Sequence, residues 1–483
     1  MKRTPWIILA AVGNAAAVVA ATLFLYSAAR GATTDSWMTG GGGDWSNPAN
    51  WNPRLPGSGA GTNDDAQNLL AGAPISFNTS ATVNSFFSQS SGFNLVGGVL
   101  SGSQANSASA VQVNGDLSVN GGELSNLTIA QGVGGSVTFA SNGGDFFSGV
   151  VAAADLTFSN SDYLLLFNAN SAHNIAMTNV GNGIRFNDGN ASLTLTGTFH
   201  GYGATFNNGG GGTLIDNGTI SADSAGNTLA INNTNLTGGG VLEAKIGGVL
   251  SIGAVINGSG LQVHVDGNPG SVVLINGGAV TGTIGASTGT GLSFANNGNN
   301  YISNATIASD LTFGEGGYAL LYNANSESGN INVASMSNGI RFNDSNASLT
   351  LTGMLHGYGA TFNNGGGGTL VDNGTISADS AGNTLAINNT NLTGSGVLEA
   401  KNGGILSIGA IINGSGLQVH VDNNPDSVAE INGGAVTGTL GASTGTGLSF
   451  AANGNNYISN ATIASDLTFG QGGYALVYNA NSV

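Results

Sequence analysis

One block of residues occurs more than twice in this chain, and no other feature limits its fold so tightly. Gly183-Ile184-Arg185-Phe186-Asn187-Asp188 returns as Gly339-Ile340-Arg341-Phe342-Asn343-Asp344, and His200-Gly201-Tyr202 returns as His356-Gly357-Tyr358, each 156 residues on. Asp310-Leu311-Thr312-Phe313 reappears at residues 466–469, with a looser version at 155–158. The repeat phase gives copy 1 at 134–289, copy 2 at 290–445 and a partial copy 3 at 446–483, with residues 76–133 read as first coils of the same kind. A third copy that stops partway is the pattern expected of a fragment of a longer protein. Self-similarity at a fixed period marks stacked-repeat architectures, in which a unit buries its apolar face only against its neighbours.

Within a copy the pattern is short strands broken by Gly and Asn. Leu261-Gln262-Val263-His264-Val265-Asp266 alternates strictly, which is the period of a half-buried strand. Thr228-Leu229-Ala230-Ile231 and Gly248-Val249-Leu250-Ser251-Ile252 read the same way. Asn-Gly and Gly-Gly pairs between them supply the positive φ that tight corners need. After Arg30 no stretch shows a helical period, so the chain reads as all-β. Coils of about 20–30 residues fit the repeat several times over, which favours a right-handed parallel β-solenoid; tandem β-sandwich domains are the alternative. Charge supports the solenoid, because only 7% of residues are charged. In a stacked coil, like charges would sit about 4.8 Å apart, whereas Asn, Ser and Thr form hydrogen-bonded ladders.

Differences between copies divide the positions. Ile215/Val371, Val249/Ile405, Val255/Ile411 and Ile284/Leu440 exchange one aliphatic for another, as packed sites tolerate. Ile246/Asn402, Leu274/Glu430 and Gly270/Asp426 change polarity, which is expected of outer faces and turns.

The amino terminus reads as an address. Lys2 and Arg3 precede an uncharged run from Trp6 to Ala29, with Ser27-Ala28-Ala29 fitting a cleavage site. Residues 1–31 are expected to be a signal peptide or an apolar signal-anchor helix. Membrane contact is then limited to residues 6–29, if the segment is retained, with the rest exported.

Trp37, Trp45 and Trp51 are the only tryptophans beyond that run. They lie in a segment reading W-M-T-G-G-G-G-D-W-S-N-P-A-N-W-N-P-R-L-P-G, followed by the late acidic pair Asp64-Asp65. This segment resembles the opening of exported bacterial β-strand-repeat proteins, including autotransporter- and adhesin-like passengers. The resemblance implies that residues 32–75 open a β-solenoid of a surface or secreted protein, and it assigns no reaction. The indoles are expected to cap the first coil, with a sugar-stacking platform as the sharper reading.

Composition closes other routes. The absence of Cys excludes disulfides, thiol nucleophiles and Cys-based metal sites. A net charge of −17 with scattered basic residues argues against nucleic acid. Gly285-Ala286-Ser287-Thr288-Gly289, repeated at 441–445, matches G-x-S-x-G, but strand-like flanks on both sides make it a turn rather than a nucleophile elbow. His264 with Asp266, and His420 with Asp422, are expected on a solvated outer face; Glu243 with Lys245, and Glu399 with Lys401, are expected as surface ion pairs. Tyr318-Ala319-Leu320-Leu321-Tyr322, echoed at Tyr474 to Tyr478, puts two aromatics on one strand face. An inward face is favoured; an outward one would make a ladder of stacking surfaces. The candidate contact residues are Trp37, Trp45, Trp51, Tyr318, Tyr322, Tyr474 and Tyr478. No catalytic residue, cofactor or metal is expected. The expectation is a non-enzymatic β-solenoid, secreted or displayed at the cell surface, with an adhesive or structural role and glycans or cell-surface proteins as partners. A secreted carbohydrate-active enzyme or glycan-binding stalk is the alternative.

Overall fold

A computed structural model describes residues 34–57, 64–89, 91–103, 109–132, 135–141, 143–207, 211–232, 234–363 and 367–483. The signal or anchor segment expected at 1–31 lies outside them. Among the described residues there is no α-helix, only one 3-10 turn at Pro48–Asn50, and no helix long and apolar enough to cross a membrane. The chain divides into two compact units, residues 1–176 and 177–483, so the division falls inside copy 1 rather than between copies. A solenoid repeat has no core of its own, so repeat phase and compact unit need not coincide. Each unit is a parallel β-solenoid of right-handed type, and their turns add to about 19.

In the first unit, Thr34–Trp37 pairs antiparallel with Trp51–Asn52 and parallel with Asp65–Asn68. From there three parallel ladders form the faces. One runs from Asp65–Asn68 through Ser85–Ser88, Ser109–Val113, Leu127–Ala130 and Val151–Ala152 to Ala169–Ala172. A second runs from Gly43–Asp44 through Ile75–Phe77, Phe93–Leu95 and Leu117–Val119 to Val137–Phe139 and Leu156–Phe158. The third runs from Ser80–Val83 through Val99–Gly102 and Glu123–Ser125 to Phe146–Ser148 and Tyr163–Phe167.

The period-2 alternation becomes burial. Leu261, Val263 and Val265 are buried while Gln262 and His264 are exposed. In-register stacking puts like on like inside: Phe139 lies over Phe158 at 4.5 Å, and Phe294 over Phe313 at 4.9 Å. Parallel ladders are stable in this setting because both neighbours and the dry interior satisfy every strand. Corners use left-handed residues as the sequence implies. Asn168 and Asn323 take φ of 57° and 55°, and each side-chain amide donates to a Ser one turn earlier, Ser148 and Ser303, at 2.9 Å.

The second unit has three ladders as well, and they reveal how the repeat is wound. Ladder A carries Ser192–Leu195, Thr213–Asp216, Asn235–Gly238, residues 255–258, Ala279–Val280, Tyr301–Ser303, Tyr318–Tyr322 and residues 339–342. It continues through residues 359–361, 384–388 and 405–409 to Val428–Ile431 and Leu448–Phe450. Ladder C carries His200 in copy 1 and then Thr219–Ala222, Val241–Ala244, residues 262–265 and Thr283–Thr288. It goes on through Thr306–Ile307 and Ala324–Glu327 to Ser348–Leu351, the copy-2 counterpart of Ser192–Leu195 on ladder A. The third ladder, B, carries residues 203–205, Thr228–Ile231, Val249–Ile252, Val272–Ile275, Leu292–Phe294, Leu311–Phe313 and residues 331–334, and His356, the counterpart of His200, lies on it beside Asn332. One copy therefore makes seven turns and one further strand, so each copy starts one face later than the copy before it.

Two readings of the copy differences change. Ile284 and Leu440 are buried, but Ile215/Val371 and Val249/Ile405 are half-buried on outer faces, and Ile411 is 39% exposed where its copy-1 counterpart Val255 is half-buried. In-register neighbours one strand spacing above and below shield these outward aliphatics on two sides, which is enough to keep them apolar. The polarity-changing sites are outward as expected: Ile246 is 57% exposed at a left-handed corner with φ 57°, and Asn402 has the same φ.

Candidate functional site

The tryptophans are interior. Trp37, Trp45 and Trp51 are each 5% exposed or less, with Trp51 edge-on to both others at 5.0 and 4.5 Å. Trp45 is further enclosed by Phe77, Phe86 and Phe93. Trp51 donates its indole N–H to the carbonyl of Trp45 at 2.9 Å, and Trp37 donates to that of Thr39. Their faces are used up in filling the first described turns, so they are not available as the surface contacts considered above. Beside them buried Asp35 and Asp64 share Arg54, which pairs with Asp64 and lies 3.9 Å from Asp35. Burial and the neighbouring Asp64 carboxylate push Asp35 up to about 6.

The tyrosines go the other way. On Tyr318–Tyr322 it is Ala319 and Leu321 that are buried, at 0% and 1%, while Tyr318, Leu320 and Tyr322 face outward and are half-buried. The inward reading is thus corrected. Register decides it, because Ala319 stacks on Ile340 and Leu321 on Ile302 and Phe342, all core residues. Tyr322 meets Tyr301 edge to face at 6.0 Å, and the Arg341 guanidinium lies 3.9 Å over the Tyr318 ring. Ser303 and Asn323, hydrogen-bonded to each other, border the rings. In copy 3, Tyr457 and Tyr478 keep the same edge-to-face pairing at 6.4 Å, and Asn479 donates to Ser459 at 2.8 Å. Tyr474 and Tyr478 are 44% and 52% exposed. Sequence reasoning found four of these tyrosines; Tyr301, Tyr457 and Arg341 join only through cross-strand register.

A second outward cluster follows ladder C in copy 1. His200 lies 3.2 Å from Asp223, Ser221 donates to Glu243 at 2.5 Å, Lys245 reaches the same carboxylate oxygen at 2.6 Å, and His264 contacts Thr288 at 2.8 Å. Copy 2 repeats it: His356 is 3.3 Å from Asp379, Ser377 donates to Glu399 and Lys401 pairs with Glu399. Burial opposes ionisation of Glu243, but hydrogen bonds from Lys245 and Ser221 outweigh it and hold the carboxyl below its ordinary value. Half-buried Asp266 is lowered, chiefly by its hydrogen bond from Ser271 and then by backbone N–H groups. Apart from the Lys–Glu pairs and the Ser271–Asp266 bond, which lie within one turn, these contacts run from one turn to the next, which makes the stripe a ladder that ties turns together. Among the described residues no three His, Asp or Glu side chains converge as a metal site. Ser287 of G-x-S-x-G lies on a bulged strand, not a turn, and its hydroxyl accepts from the Asp310 N–H at 2.8 Å.

Among the described residues of the second unit three carboxyls are buried. Burial pushes Asp216 up to about 6, Asp372 to about 7 and Glu327 to about 9. Each accepts one backbone N–H, from Gly218, Gly374 and Gly329, and has its other oxygen in the dry interior.

The chain matches no family model, no curated protein and no solved structure.

Proposed function

We propose that this protein is an exported, surface-displayed and non-catalytic β-solenoid with an adhesive role, the tyrosine patches being its contact surfaces. The observation that carries the reading is the outward placement of Tyr301, Tyr318 and Tyr322, repeated by Tyr457, Tyr474 and Tyr478. Strand faces bordered by Asn and Ser need no aromatic side chain for stability, and tyrosine combines an apolar body with a polar tip suited to a surface that meets a partner. The basic and apolar start of the sequence supports export, and its Trp-rich opening supports a passenger-like display. Duplication supports a role for length, since each copy adds seven turns and a strand, or roughly 35 Å at a spacing of ~4.8 Å.

Adherence of cells displaying the full chain tests the reading. Cells carrying the wild-type protein are expected to attach to sibling or host cells, and a variant with Tyr301, Tyr322, Tyr457 and Tyr478 all changed to Ser is expected to lose most attachment at equal surface abundance. Equal attachment by both would reject the tyrosines as contacts. Turnover of a polysaccharide by the purified chain would reject the non-catalytic role.

A further inference from the structure

The paired tyrosine rings of copies 2 and 3, each with a Ser–Asn border, stand on different faces. Tyr301, Tyr318 and Tyr322 stand on ladder A; seven rungs along it lies Leu448–Phe450, and the next strand in the chain, Tyr457–Ser459, belongs to ladder C with Ala435–Val436. Tyr478 follows on ladder C, in register with Ser459. The ring pair and its Ser–Asn border are carried over with the turn: 6.0 and 6.4 Å between ring centres, 2.9 and 2.8 Å for Asn323 to Ser303 and Asn479 to Ser459.

We propose that each patch docks one pyranose glycan strand, and that duplication turns the site by one face per copy so that a single chain holds separate glycan strands on separate faces. This rests on the adhesive reading above and specifies its ligand. A pyranose has an apolar C–H face and a rim of hydroxyls. The outward tyrosine rings match the face, and the Ser303 hydroxyl with the Asn323 amide, or Ser459 with Asn479, matches the rim. An outward surface shaped by β-strand stacking is long and open along the ladder, as an extended polymer requires. Had a copy been a whole number of turns, both patches would lie on one ladder and one flat glycan layer would engage them together. The extra strand prevents this, so the sites cross-link polymers instead of adding avidity to one surface.

The test uses the full chain with cellohexaose, xylohexaose and mannohexaose as probes, followed by native mass spectrometry and dissociation from a flat sensor coated with the hexamer that binds. Two hexamers per chain are expected. Tyr301→Ser with Tyr322→Ser reduces this to one, Tyr457→Ser with Tyr478→Ser likewise, and the corresponding Tyr→Phe pairs, which keep the stacking face, retain both. From the flat sensor, wild type and each one-site variant are expected to dissociate at rates within twofold. A wild-type rate tenfold or more slower would overturn the turned-face arrangement. Failure of every hexamer to bind while displayed cells still attach would overturn the glycan assignment and leave the adhesive reading standing; loss of both would remove that reading too. Circular dichroism on each variant separates lost binding from lost fold.

Discussion

Glu327 sits where copy 1 has Ala172, on an inward position between Ile307 and Leu351, and it is 1% exposed. Its carboxyl accepts the Gly329 N–H at 2.8 Å, and burial, helped by the Asp310 carboxylate, raises it from 4.5 to about 9. A carboxyl raised on folding keeps its proton more tightly in the native state. Its contribution to stability is therefore complete below pH 4.5, declines as pH rises, and is gone once pH passes about 9. At pH 7 the loss amounts to about 3 kcal/mol, from 1.36 kcal/mol per pH unit. Glu327→Gln preserves volume and the acceptor for Gly329 but cannot ionise. Because long repeat arrays open locally, the assay is hydrogen exchange of the Ser326 and Ser328 amides, which bond to Ala305 and Ile307. At pH 5 the variant and wild type are expected to exchange within about threefold of each other. At pH 7 the variant is expected to exchange roughly a hundredfold more slowly, the ratio that about 3 kcal/mol implies. An unchanged ratio between the two pH values would refute the reasoning, since it would mean the carboxyl is ionised and solvated in the native protein.

Trp45→Ala should cost about 3–5 kcal/mol, the usual range for deleting a fully enclosed aromatic, and is measured as early proteolysis of the first described turns with the second unit still protected; wild-type resistance would show that Trp45 does not hold those turns. Gly357 has φ of 100°, and a Cβ there would come within 2.1 Å of the Val333 carbonyl oxygen. Gly357→Ala is therefore expected to lower the melting temperature through a loss of roughly 1–3 kcal/mol, with faster exchange of Ile331–Phe342; an unshifted melt would count against the close approach.

Much of the architecture is written locally. Strict alternation in Leu261 to Val265 forces one face inward whatever surrounds it, and Asn and Gly at corners supply the positive φ that a strand cannot. The internal repeat requires stacking, because no copy encloses a core by itself. Those facts are short-range, so the strands, their corners and the solenoid were readable from residue order. Tertiary structure decided what short-range patterns leave degenerate. In Tyr318-Ala319-Leu320-Leu321-Tyr322 both parities are apolar, and a one-residue change of parity would exchange the faces. Only the columns formed by Ile302, Ile340 and Phe342 choose Ala319 and Leu321 for the interior and leave the tyrosines outside. The same holds for outward Ile215 and Val249, whose shielding comes from neighbouring turns. It holds most of all for winding phase. A period of 156 residues gives no count of turns; that number follows from how many residues each corner consumes, and the surplus strand per copy, which sets the direction each patch faces, exists only once the turns are closed.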